Sequence, residues 1–165
     1  MKKLLLLLLI FTCFDAFAQV QVQTSKAFTI GGELDIPNYG IYNVGTGASL
    51  KFELPVASHV SLSITGGFTS VFYRGTIFTG YSSSGGDLFV PVKAGLRYFF
   101  VQNVYAEGEG GATFELNHTN RTLAAFSIGP GFILPAGKNS VDLGFRYEDW
   151  QGQLKLTVLR VAYRW

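Results

Sequence analysis

The sequence predicts an all-β protein: an eight-stranded antiparallel up-and-down transmembrane β-barrel that follows a cleaved N-terminal signal peptide. Three observations predict it. The first residues carry an export signal, the apolar residues of the remainder alternate with a period of two across eight segments, and the charges in those segments share one parity.

Lys2 and Lys3 precede an apolar run from Leu4 to Phe11, and Ala16, Phe17 and Ala18 precede Gln19, which is the three-part pattern of a secretory signal. The run stops before Asp15, well short of the roughly 20 apolar residues that a spanning helix needs. Thr12 before Cys13, in place of a small residue, argues against a lipidation signal. The expected organisation is a signal peptide at 1–18, a periplasmic lead at 19–25 and an outer-membrane barrel domain at 26–165. Cys13 is the only cysteine, so the mature chain has neither disulfides nor thiol chemistry. After cleavage eleven basic residues face ten acidic ones, a balance that gives nucleic-acid binding no basic face to use. With 20 glycines, 15% aromatic and 48% apolar residues, the composition suits strands and turns.

The segments follow in order, each alternating with period two. The first sets Phe28, Ile30, Leu34 and Ile36 against Thr29, Glu33 and Asp35. The second sets Ala48, Leu50, Phe52 and Leu54 against Ser49, Lys51 and Glu53, and the third Val60, Leu62, Ile64, Phe68 and Phe72 against Ser61, Ser63, Thr65 and Thr69. In the fourth, Leu88 to Phe100 alternates with Lys93 and Arg97; in the fifth, Val104, Ala106, Ala112, Phe114 and Leu116 oppose Tyr105, Glu107, Glu109, Thr113 and Glu115. The sixth has Ala124, Phe126, Ile128, Phe132 and Leu134 against Ser127, Gly129 and Gly131, and the seventh Val141, Leu143, Phe145 and Tyr147 against Asp142, Arg146 and Glu148. The eighth ends the chain with Leu159, Val161, Tyr163 and Trp165 against Arg160 and Arg164.

Alternation alone does not say which face points inward, because a soluble lipocalin-like barrel is apolar inside. Fourteen charges lie on the polar parity: Lys51, Lys93, Arg97, Arg146, Arg160 and Arg164 with Glu33, Asp35, Glu53, Glu107, Glu109, Glu115, Asp142 and Glu148. The apolar parity carries more bulk than an eight-stranded interior can hold. Gly95, Gly111, Gly129, Gly131 and Gly144 share the charged parity, where small residues make room. The expected arrangement is therefore apolar outside, with an interior charge network that plugs the lumen.

Connections alternate in length as the bacterial rule requires. Pro55–Ser58, Val101–Asn103 and Pro135–Asn139 are short and expected on the periplasmic side with both termini; Asn38–Asn43, Arg74–Asp87, Asn117–Arg121 and Asp149–Gln153 are expected to face outward. Aromatic residues gather at strand ends, with Tyr98, Phe100, Phe132, Tyr163 and Trp165 expected in an inner girdle and Phe72, Tyr147 and Trp150 in an outer one. Tyr163 and Trp165 form a terminal signature read as an assembly signal.

The hairpin FVPVKAGLRYFF at 89–100 followed by VYAEGEGGATFEL at 104–116, together with the aromatic terminus, resembles the outer-membrane β-barrel domain family of Bacteroidota, PorT-like proteins included, and the small eight-stranded OmpA/OmpX-type barrels. The resemblance implies an integral outer-membrane protein and supplies no catalytic residues.

The chemistry-bearing residues are few. His59 and Ser61 have the His-x-Ser spacing of a lipid-A deacylase set, but they start the third segment beside a periplasmic turn and on the inward parity, away from the outer leaflet. His118 sits in an outward loop without an evident carboxylate partner. Glu107 and Glu109 could hold a metal; Lys93 and Arg97 on the neighbouring segment make interior salt bridges the better reading. Gly108, Gly110 and Gly111 form no phosphate loop, since no helix follows. The expectation is no enzyme, no cofactor and no metal: a closed, monomeric scaffold whose outer loops contact a ligand or protein. Its other partners would be outer-membrane lipid, lipopolysaccharide and the barrel-assembly machinery. The alternatives are a narrow porin-like channel, a lipid-A-modifying enzyme and a soluble periplasmic barrel.

Overall fold

The computed structural model describes residues 25–38, 42–73, 86–117 and 121–165. The expected signal peptide at 1–18 and most of the expected lead at 19–25 lie outside the described residues. Eight strands follow one another: β1 (Ala27–Pro37), β2 (Tyr42–Ala57), β3 (Val60–Tyr73), β4 (Gly86–Val101), β5 (Val104–Glu115), β6 (Thr122–Ala136), β7 (Asn139–Trp150) and β8 (Leu154–Arg164). Each pairs antiparallel with the next, and β8 pairs with β1, so the sheet closes and leaves no edge. The seam is tied at the terminus, where the backbones of Phe28 and Trp165 exchange hydrogen bonds of 2.9 and 3.1 Å. Strands of 11 to 16 residues meet or exceed the roughly 9–11 that a tilted strand needs to cross a bilayer core.

Three connections are two residues long, at 58–59, 102–103 and 137–138, and lie at the end that also holds both termini. We call it the turn end. The loop-end connections span 38–41, 74–85, 116–121 and 151–153. Pairing runs further into the turns than the sequence suggests, since Pro55, Val56, Ala57, Pro135 and Ala136 belong to strands. Gly137 has φ 68° and occupies the first central position of its two-residue turn, the place where a type II′ hairpin takes glycine.

The period-two pattern decides the two faces. Outward side chains are apolar and open, among them Ile128 at 67%, Phe126 at 63%, Leu96 at 56% and Phe114 at 40% exposure. Inward side chains include Lys51, Arg97, Glu53 and Asp142, all at 1% or less. A water-soluble fold would reverse this arrangement, because each outward large apolar side chain forgoes about 1.5–3 kcal/mol of burial unless something apolar covers it.

Two prolines interrupt the ladder. On the β3–β4 seam, pairing skips from Gly66↔Val92 to Thr69↔Phe89, passing Pro91. On the β6–β7 seam it skips from Ile128↔Tyr147 to Gly131↔Gly144, passing Pro130. Proline has no N–H to give, and each of these prolines still pairs with β5, as Pro91↔Thr113 and Ala106↔Pro130.

Candidate functional site

Among the described residues the lumen is the most organised polar site. Lys51 on β2 reaches across it to Glu107 on β5 and to Glu109 at 3.2 Å. Lys93 on β4 bonds Glu148 on β7 and approaches Glu109 at 3.7 Å. Arg97 lies 2.8 Å from Glu53, 3.2 Å from Glu107 and 2.9 Å from Asp142. Arg146 contacts Glu148 and, at 2.8 Å, Glu33. Arg160 stands 3.5 Å from Glu33 and 3.9 Å from Asp142.

Followed in order, these contacts form a closed circuit of alternating sign: Lys51, Glu109, Lys93, Glu148, Arg146, Glu33, Arg160, Asp142, Arg97, Glu107 and back to Lys51. A branch from Arg97 through Glu53 ends on Arg164, 3.0 Å away. Twelve of the fourteen charges expected inside thus join one network with as many cations as anions. Hydroxyl groups bring in the remaining strands, with Thr65 on β3 donating to Glu109 at 2.5 Å and Ser127 on β6 donating to it at 3.2 Å. Arg160 adds Ser49 at 2.9 Å and Thr29 at 2.8 Å. Every strand contributes, so the network staples the cylinder across its bore.

The other two charges stand apart. Glu115 pairs with Arg121 at 2.9 Å near the loop end, and Asp35 is buried with its Oδ2 lacking a hydrogen-bond partner. Above the circuit, at the loop end, the bore is filled by an apolar layer built around Val71, Phe89, Leu123, Trp150, Leu156 and Val158. Below it Phe99, Tyr105 and Ile133 form a smaller layer, with the Arg97 guanidinium 3.7 Å above the Tyr105 ring. Lys51, Tyr105, Glu107 and Arg160 line a cavity of about 10 Å³, room for about one water.

Three sequence expectations are corrected. Trp150 is no outer-girdle residue: it is 1% exposed, turns into the bore, packs on Phe89 at 4.9 Å between ring centroids and donates to Glu148 at 2.9 Å. Asp87, placed by sequence in the long loop, belongs to β4 and faces inward, where Tyr42 and Tyr73 both donate to its Oδ2. His59 does not share the inward face with Ser61; its ring lies nearly parallel to outward Tyr98, 6.2 Å between centroids, while Ser61 is buried with Oγ unpartnered. His118 lies outside the described residues, as do 74–85. Glu107 and Glu109 both carry cation partners, and among the described residues no group of three His, Cys, Asp or Glu is arranged to hold a metal. Sequence reasoning missed the apolar layer, although Leu154, Leu156 and Val158 on the otherwise polar parity of β8 announced it.

Tyr98, Phe100, Phe132, Tyr163 and Trp165 point outward near the turn end. Trp165 packs on Phe28 at 5.1 Å and on Tyr163 at 5.5 Å, so the aromatic terminus covers the closing seam.

Solved structures share this architecture. Ail, the attachment invasion locus protein of Yersinia pestis, aligns with a TM-score of 0.62 and 16% identity over 87% of this chain and 100% of its own. It has also been solved with the heparin analogue sucrose octasulfate. The outer membrane protein OprG of Pseudomonas aeruginosa aligns at 0.55 with 11% identity, covering 89% of this chain and 99% of its own. A de novo designed transmembrane β-barrel aligns at 0.54 with 15% identity, over 87% and 99%. No protein-family model matches the chain, and no curated protein matches it in sequence. The fold is therefore the closed eight-stranded antiparallel barrel of small outer-membrane proteins.

Proposed function

We propose that the protein is an integral outer-membrane barrel that is sealed along its bore and works through its loop end, as a scaffold that contacts a surface ligand or a protein partner. The observation that carries this reading is the pairing of an apolar outer face with a self-neutralised charge circuit inside, closed above by the apolar layer around Trp150. Twelve mutually neutralising charges packed across the bore, with a cavity of about 10 Å³ among them, favour a scaffold over a porin-like channel. In this reading the three two-residue turns and both termini face the periplasm and the longer connections face outward, the protein is a monomer, and it is not an enzyme.

The aromatic terminus, with Tyr163 and Trp165, would serve the barrel-assembly machinery as its recognition signal. The hairpin at 89–100 and 104–116 supports placement near the PorT-like barrels of Bacteroidota. Ail has been solved in complex with a heparin analogue, and ligand binding is carried over here only as a mode, placed at the loop end by this reading. The described loop-end charges here are mixed: Arg121 and Lys155 stand beside Glu115 and Asp149. Lipopolysaccharide is the expected neighbour of the outward loops. The test is conductance in planar bilayers. The purified protein should show no steady channel current, and a stable open level would overturn the sealed-barrel reading.

A further inference from the structure

The outward face is not evenly covered. Most outward positions carry a large apolar side chain, but a groove of about 520 Å³ opens across β6, β7 and β8, walled by Phe132, Leu143, Phe145, Leu159 and Val161 and floored at Pro130, Gly131 and Gly144. Its origin is local. Pro130 takes the outward position between Ile128 and Phe132, its partner on β5 is the small Ala106, and the ladder to β7 skips the pairs beside it. At about 30 Å³ for a water-sized group, the groove has room for a dozen or more methylenes.

We propose that this groove holds one acyl chain of a periplasmic-leaflet glycerophospholipid whose phosphate sits at the turn end; the proposal rests on the membrane placement above. Two features select this occupant. The groove ends at Phe132, Leu143 and Val161, one outward step (Leu134, Val141 and Tyr163) from the 137–138 turn on the same strands, where Lys138 is exposed with no ion pair among the described residues and Asn139 donates to the Tyr163 hydroxyl. A cation and a polar pair at the membrane boundary below an apolar groove match an anionic headgroup at the turn end with its acyl chain rising into the groove. A second copy fits less well, because a two-fold axis through the groove would place hollow against hollow and bury a void.

Full-length mature protein is refolded into phosphatidylcholine vesicles that contain a small fraction of phosphatidylglycerol with brominated acyl chains, which quench tryptophan on contact. Reporters are Phe145→Trp on the groove wall and Leu96→Trp on β4, at a similar distance along its strand from the turn end, each read against the parent protein. Quenching at 145 should be several-fold stronger than at 96 and should saturate while quenching at 96 follows the lipid fraction. The filled groove of Leu143→Phe with Val161→Phe should abolish the excess, and Lys138→Glu should weaken it. Equal quenching at the two positions in vesicle-inserted protein would overturn the proposal, as would a disulfide forming between Leu143→Cys copies. Failure of the protein to float with the vesicles would instead overturn the membrane placement itself.

Discussion

Arg97 meets Glu53, Glu107 and Asp142 at 3.2 Å or less while stacking over Tyr105. Removing it would leave three carboxylates facing one another in a water-poor bore. Arg97→Met is expected to cost about 3–5 kcal/mol, the range for stripping one partner from a buried ion pair, read from urea unfolding in lipid vesicles; a loss under 1 kcal/mol would mean that water, not arginine, neutralises these acids. The outward face gives the complementary test. Phe114→Lys or Leu96→Lys should cost about 2–4 kcal/mol in a bilayer, whereas Thr113→Ser, buried beside Pro91, should be mild. Which residues face inward was legible, since a period of two assigns every side chain once one charge is placed. Which residues pair was not legible. Lys51 and Glu107 sit on β2 and β5, three strands apart, and only the closed cylinder brings them together. Trp150 and Asp87 were misread because both lie where strands fade into loop-like sequence, and there the parity signal has few neighbours to support it.

At the scale of elements, β6 shows how an inward glycine is used. A Cβ on Gly131 would fall 2.0 Å from Cζ of Tyr105, because the tyrosine ring from β5 lies flat over that position and sends its hydroxyl to Asp142. Gly131→Ala should therefore destabilise the barrel by about 1–3 kcal/mol through overpacking. In a Tyr105→Ala background the same change should cost much less, a coupling that a double-mutant cycle measures; additive effects would show that the ring does not need the glycine. The eight strands and their order were readable from alternation and turn residues, as were the short turns on one side. The skipped pairs at Pro91 and Pro130 could be anticipated only in part: a proline forbids one donated bond, and the backbone decides which seam loses it. The turn at Gln151 and Gly152, with φ of 51° and 72°, is tighter than the five-residue loop that composition suggests, and Asp149 holds it through a 2.6 Å bond from the Gly152 N–H.

For the whole molecule, three layers of inward side chains are stacked along the bore: apolar at the loop end, charged in the middle, and Phe99, Tyr105 and Ile133 at the turn end. The exterior, with Ile128, Phe126 and Val161 more than half exposed, needs lipid. Membrane placement and the proposed sealed bore thus rest on one distribution of side chains. A water-soluble barrel of this sequence would expose its apolar face and aggregate. The most direct measurement is cell fractionation followed by electrophoresis with and without boiling. The protein is expected to stay in the outer-membrane pellet, and the unboiled sample to migrate as a compact folded barrel that shifts only after heating to the position of its 18.0 kDa chain less the expected signal peptide. Recovery in the soluble periplasmic fraction, with no heat-dependent shift, would contradict it.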